Sequence, residues 1–452
     1  MMAGRTLTEG TPWKVILSFT IPVLLGILLQ QLYNTADTVI VGNFSSEAAL
    51  SAVGTTSCIT MLFLAVANGF SAGAGVLIAQ MFGANQENEM RRASITSVML
   101  LLGMGAVTSI IGVLSSRPIL QYALGVEEHI LSMSDSYLKI YACGLIFQFG
   151  YNIVAAILRG GVGDSKASLY FLLIACVANV LLDILFVAGF QWGPAGAGLA
   201  TDLAQIGSFI AALIYMRRKY PVFCWGWSEW KFDWTTAKEI LLLGFPMALQ
   251  QAVASLGFVF IQRAVNSYGQ SMMASYTVGQ RVEAYLDMPV LAFQMTMATY
   301  VGQNIGAKKL KRVTDGTRQA IILSVSITAC LSALVIFFAR DIIRLFDLGV
   351  DAAAYCVQHL RFTAVVKLIV AFYFPVIGAL QGVNCGLTGT VAVGSALAVR
   401  VISTYTLCYV PWIGYHIIWG NQVLGFSTAC LIVWSYYLSG KWRKHIPHDM
   451  VP

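Results

Sequence analysis

The chain has 452 residues, of which 58% are hydrophobic and 11% charged, with a formal net charge of +7 and a mean hydropathy of +0.73. A soluble protein is nearer half apolar and a quarter charged, so the apolar excess faces lipid and the chain is an integral membrane protein. Twelve spans of about 20–25 residues would use about 240–300 residues, which leaves too little for a separate soluble domain. The apolar runs are also twice the length of β-barrel strands, so the expected fold is all-α.

The spans are predicted at 15–42, 48–80, 93–115, 130–158, 168–190 and 195–216, then at 240–265, 272–303, 318–338, 358–383, 390–411 and 415–438. Lys14 before the apolar run from Val15 imitates a signal peptide, but no small-x-small site follows and apolar character continues to Gly42. The segment therefore reads as a retained first span. It carries a polar stripe, QQLYNTAD (30–37), in which Gln30, Tyr33 and Asn34 precede Asp37 by seven, four and three residues and share its helix face. Span 2 holds SAGAG (71–75), which lacks the Lys-Ser/Thr of a phosphate loop and reads as close helix packing. Span 5 holds NVLLD, with Asn179 and Asp183 one helical turn apart, and span 6 places Thr201 shortly after the turn at Gly193-Pro194.

Counted at about 1.5 Å per residue, Asp37, Asp183 and Thr201 reach a common depth of roughly 8–12 Å below the outer boundary. Acids inside spans are expensive and mark function by default. Two carboxylates, an amide oxygen and a hydroxyl form an all-oxygen set suited to a hard cation or a proton. The plainer reading, hydrogen bonding between helices, fits less well, because spans 1, 2, 3, 5 and 6 contain no base to pair with the acids.

The basic connection 217–239 carries Trp225, Trp227, Trp230 and Trp234, expected as an interfacial anchor. Beyond it acids and bases coexist: Arg263 ends span 7, Arg281, Glu283 and Asp287 lie in span 8, Lys367 in span 10 and Arg400 in span 11. Internal ion pairs are expected there, the alternative being that Glu283 or Asp287 lines a central cavity and contacts substrate. The nine Cys and five His form neither a disulfide framework nor a metal-ligand pattern. No Walker motif and no nucleophile–base pair is present, so neither ATP hydrolysis nor an enzyme is expected.

Among the 28 Lys and Arg, those of the loops and tails crowd one side, from Arg5 and Lys14 through Arg91, Arg217, Lys308 and Arg312 to Lys444. The other side carries Arg117, Arg340 and Arg344. This bias places both termini in the cytoplasm and needs no nucleic acid to explain it. The chain also repeats itself at a shift of about 224. Pro22 is matched by Pro246, AVG ending at Gly54 by TVG ending at Gly279, AQMFGA (79–84) by GQNIGA (302–307), and LRG ending at Gly160 by LQG ending at Gly382. Two six-span lobes in parallel orientation follow, 1–216 and 240–452, joined by the cytoplasmic linker 217–239, with a cavity expected between them.

The first-span run PVLLGILLQQLYNTADTVIVG, the motif AQMFGA, the stretch LRGGVGDSKASLY (158–170) and NVLLD (179–183), in this order and spacing, resemble the multidrug and toxic compound extrusion (MATE) transporters over the whole chain, with closest likeness to the prokaryotic DinF- and NorM-like branches. The resemblance implies a monomeric, cofactor-free antiporter of the prokaryotic cytoplasmic membrane. It would expel small organic compounds, often cationic, in exchange for Na⁺ or H⁺ by alternating access. It also implies a cation site at Asp37, Asn179, Asp183 and Thr201, with Tyr33 beside it. Some NorM-type members carry acids in spans 7 and 10; this chain has none in either predicted span, and Lys367 stands in span 10. A rival expectation is a flippase for lipid-linked saccharides, in which Arg281, Lys367 and Arg400 would hold pyrophosphate.

Overall fold

The computed structural model describes residues 6–346 and 348–446, with the backbone alone at positions 47, 123, 227, 256, 258 and 259. Arg5 lies outside the described residues. Among these residues there is no strand, and long helices follow one another: α1 (Pro12–Phe44), α2 (Glu47–Gly83), α3 (Glu87–Pro118), α4 (Glu128–Val162), α5 (Ser165–Asp183), α6 (Gly193–Lys219), α7 (Trp234–Asn266), α8 (Gln270–Gly306), α9 (Leu310–Arg344), α10 (Val350–Gly382), α11 (Gly386–Leu407) and α12 (Ile417–Leu438). All are long and apolar enough to cross a membrane except α8, whose 37 residues include Arg281, Glu283 and Asp287. The all-α membrane fold is thus present, and each predicted span falls on a helix.

Most helices outrun the predicted spans, whereas α11 ends at Leu407, four residues before its predicted end. Helix α9 begins at Leu310, eight residues before the predicted start. Apolarity marks the lipid-facing stretch only, whereas Lys311, Arg312 and their neighbours remain good helix formers beyond it. Two helices end in wide π turns, Ile119–Ala123 after α3 and Ile184–Gly189 after α5. The second starts at the residue after Asp183, and π turns frequently accompany functional sites.

Two compact units are present, one built on Leu25–Ala248 and the other on Leu7–Leu24 with the chain from Leu249 on. The division therefore does not fall in the 217–239 connection, as the lobe boundaries predicted, but inside α1 and α7. Hydropathy identifies a span without revealing what each half of it packs against. In the first unit, a Cβ on Gly69 would collide with the Ala248 backbone and one on Gly73 with the Gly244 backbone, so the first half of α7 lies tightly against α2. In the second unit, the Thr20 hydroxyl donates to Ile16 O at 2.8 Å and lies 3.0 Å from the Thr296 hydroxyl, which ties the first half of α1 to α8. Pro22 and Pro246 lie inside these helices, each two residues before its helix passes from one unit to the other. A helical proline removes one backbone hydrogen bond and eases bending.

The repeat motifs have a packing reason. A Cβ on Gly160 would strike the Gly75 carbonyl, bringing α4 onto α2, and one on Gly382 would strike the Ala298 carbonyl, bringing α10 onto α8 in the same way. A second matched pair holds the chain ahead of each crossing helix. Arg312 on α9 donates to the carbonyls of Leu7 (3.2 Å), Glu9 (3.2 Å) and Gly10 (2.7 Å). Arg91 on α3 donates to those of Val222 (3.4 Å) and Cys224 (2.7 Å) and pairs with Glu229 at 2.5 Å. The same connection contradicts one expectation. Trp225 is no interfacial anchor, since it is buried in edge-to-face contact with Phe223 and Trp230, whereas Trp234 is exposed.

Candidate cation site

In the first unit Thr201 organises the site. Its hydroxyl donates to Ala197 O at 3.1 Å, so toward the site it can only accept. It accepts from Tyr33 Oη at 3.1 Å and from Asn179 Nδ2 at 3.4 Å. These bonds use the hydrogens of Tyr33 and Asn179 and turn the amide oxygen of Asn179 away from Thr201. Asn179 and Asp183 are fully buried, Asp37 is half-buried, and the two carboxyl groups are neighbours.

Among the described residues no donor reaches Asp37 Oδ1, either carboxyl oxygen of Asp183, or Asn179 Oδ1. Buried acceptors are normally paired, and an unpaired buried carboxylate is among the costliest groups a helix bundle can hold. The arrangement thus presents acceptors from α1 and α5 with no hydrogen to share, which is the chemistry of a site for a proton or a hard cation. Gln30 and Asn34, expected on the same face as Asp37, are exposed and make no side-chain hydrogen bond to this set.

Asp202 escapes the sequence reading although the criterion of an acid inside a span applies to it equally. It is buried against α4 at Gly144, where a Cβ would overlap its carboxyl. Its neighbour Thr201 faces a different direction, as successive helix residues do. Tyr137 and Tyr141 of α4 stack at 6.1 Å, and Tyr141 donates to Gln148 at 3.3 Å.

In the second unit Lys367 joins the two acids of α8. Its Nζ lies 2.8 Å from Asp287 Oδ1 and 3.3 Å from Glu283 Oε2. Glu283 also accepts from Gln422 Nε2 at 3.1 Å and lies 2.6 Å from His359 Nε2. Arg400 donates instead to Asn421 Oδ1 at 2.8 Å. Lys367 and Arg400 both lie over the Phe426 ring, at 5.6 and 5.2 Å. Arg281 is exposed and stands outside this network. Nothing in the sequence around His359 singles it out, since it forms no metal-ligand spacing with another His.

The MatE family model matches residues 22–185 and 246–406, two blocks that begin at the paired prolines. The chain is 29% identical over 98% of its length to "Probable multidrug resistance protein YpnP" of Bacillus subtilis, covering 98% of that protein. It is 25% identical over 95% of its length to "Probable multidrug resistance protein NorM" of Thermotoga maritima, covering 93% of it. A solved structure described as an outward-facing multidrug resistance MATE family transporter of the MOP superfamily shares the fold, with a TM-score of 0.90 at 22% identity, over 97% of this chain and 98% of that one.

Proposed function

The chain belongs to the MatE family of membrane transporters, and from that premise we propose that it exports small organic compounds, often cationic, from the cytoplasm in exchange for Na⁺ or H⁺. The supporting observation is the donor-free set of Asp37, Asp183 and Asn179 oxygens, held open by Thr201. In the outward-facing state a cation enters this set and neutralises charge that is costly to bury. The helices around it repack, substrate leaves, and the inward-facing state becomes favoured. There the cation departs and a new substrate binds. Each charge carried inward yields about 2.3 kcal/mol per 100 mV of membrane potential, so one or two cations sustain a modest substrate gradient without ATP.

In this reading both termini are cytoplasmic and the protein works as a monomer in the plasma membrane. The flippase alternative asks Lys367 to hold pyrophosphate, yet that lysine is already committed to two carboxylates. The test is efflux of a fluorescent organic cation from proteoliposomes under an imposed Na⁺ or pH gradient. Asp37→Asn should abolish gradient-driven efflux while leaving passive substrate binding intact. Full gradient-driven efflux by this variant would sink the assignment.

A further inference from the structure

Helix α6 ends in three consecutive bases, Arg217, Arg218 and Lys219, and each is engaged differently. Arg217 turns back and donates to Trp225 O at 2.8 Å. Lys219 donates to Asp164 Oδ2 at 3.0 Å and to Tyr215 Oη, which leaves one of its three hydrogens over. Arg218 is exposed and makes no hydrogen bond or ion pair among the described residues.

Arg218 and Lys219 border an open groove of about 620 Å³, lined also by Ala211, Ile214 and Tyr215. The Tyr215 side is fixed, because its ring meets Phe171 edge-to-face at 5.2 Å and its hydroxyl donates to Asp164 at 2.9 Å. The groove is thus basic at the helix end and apolar one turn earlier. The apolar surface continues toward the middle of α6, where Ile214, Ile210 and Leu203 are 47%, 49% and 40% exposed. With Gly207, where a Cβ would meet nothing within 4 Å, these residues lie at helical spacing on the face that ends at Arg218.

A free guanidinium above an apolar stripe matches an amphiphile with an anionic head. A soluble anion would use the bases and gain nothing from Ile214, Ile210 and Leu203. A zwitterionic lipid would cover the stripe but bring its own cation to the bases. The end of a helix opposes an anion with about half a negative charge, and Asp164 adds one more. Arg217, Arg218 and Lys219 outweigh both, and the guanidinium fork suits phosphate oxygens.

We propose that the end of α6 binds one anionic phospholipid. Its phosphate is held by Arg218 and by the remaining hydrogen of Lys219, and an acyl chain lies along Ile214, Ile210 and Leu203. In the orientation proposed above this is a lipid of the inner leaflet. The site depends on neither the coupling ion nor the exported compound.

Native mass spectrometry of the intact protein, titrated in detergent with phosphatidylglycerol, reads the first lipid bound. Arg218→Gln costs the fold no partner and should weaken that event roughly fivefold. Ile214→Trp fills the groove, leaves every charge in place and should weaken it as well. Lys444→Gln removes one exposed charge elsewhere and should change nothing. Phosphatidylethanolamine with the same acyl chains should bind more weakly and ignore Arg218→Gln. Unchanged phosphatidylglycerol binding by Arg218→Gln would refute the site, and an equal loss in Lys444→Gln would reduce it to net charge. Glycerol phosphate binding as tightly as the lipid, with Ile214→Trp without effect, would make it a site for free phosphate and overturn the proposal.

Discussion

Thr201 decides what the first unit's carboxylates can meet. If its hydroxyl is removed, the Asn179 amide loses its acceptor and can swing its hydrogens onto Asp183, satisfying an oxygen that otherwise has no donor among the described residues. On the proposed exchange of substrate for Na⁺ or H⁺, Thr201→Val should therefore raise the cation concentration needed for half-maximal efflux, and Thr201→Ser should retain the native value. Lys367 has the opposite role, compensating charge rather than leaving it open. Lys367→Met strands two carboxylates and should cost about 3–5 kcal/mol, read as a lowered unfolding midpoint in detergent. Adding Glu283→Gln and Asp287→Asn should recover most of that loss, since removing a whole buried network is far milder than breaking it.

The four oxygen-bearing residues stand out in the sequence as candidates because a polar group in a long apolar run is conspicuous. What the polar stripe looks at was not legible. Helical spacing puts Gln30, Tyr33, Asn34 and Asp37 on one face, but only contact with α6 separates Tyr33, which reaches Thr201, from its exposed neighbours. The burial of His359 is hidden for a different reason: the Tyr276 and Trp419 rings that enclose it come from other helices.

At the scale of elements, close approach and capping carry the fold. Asp164 caps α5 by accepting from Ala167 N at 3.0 Å. It also receives Tyr215 Oη at 2.9 Å, Tyr220 Oη at 2.7 Å and Lys219 Nζ at 3.0 Å. Burial pushes this carboxyl up, but the donors from Tyr220, Lys219, Ala167 and Tyr215 outweigh it and hold it below the usual carboxylate range. Its contribution is therefore complete above the unfolded value of about 3.9 and is lost as pH falls through the lower folded value. Asp164→Ala should cost about 1–2 kcal/mol at neutral pH, and the difference between variant and native midpoints should vanish in strong acid. Gly73→Val, which drives a side chain into the Gly244 backbone, should cost about 1–3 kcal/mol by overpacking in the same thermal assay. Glycines such as Gly160 and Gly382 were legible as a repeat, but the crossing each permits appears only when the partner helix is known.

At the scale of the whole molecule, the sequence repeat made the duplication plain, and apolarity placed every span. The partition of α1 and α7 was not readable, because each helix is one unbroken apolar run whose halves answer to different neighbours. The paired arginines at 91 and 312, 221 positions apart, express the same partition, each holding the chain that leads into a crossing helix. This sharing has a consequence for ancestry. Cut between α6 and α7, neither half is self-sufficient, because the first unit needs the start of α7 and the second needs the start of α1. Residues 1–219 and 234–452 made separately should be unstable and should co-purify when made together; a folded, separate half would contradict this. A single ancestral half, before gene fusion, would then have completed itself by lending the start of its first helix to a second copy, as a swapped homodimer.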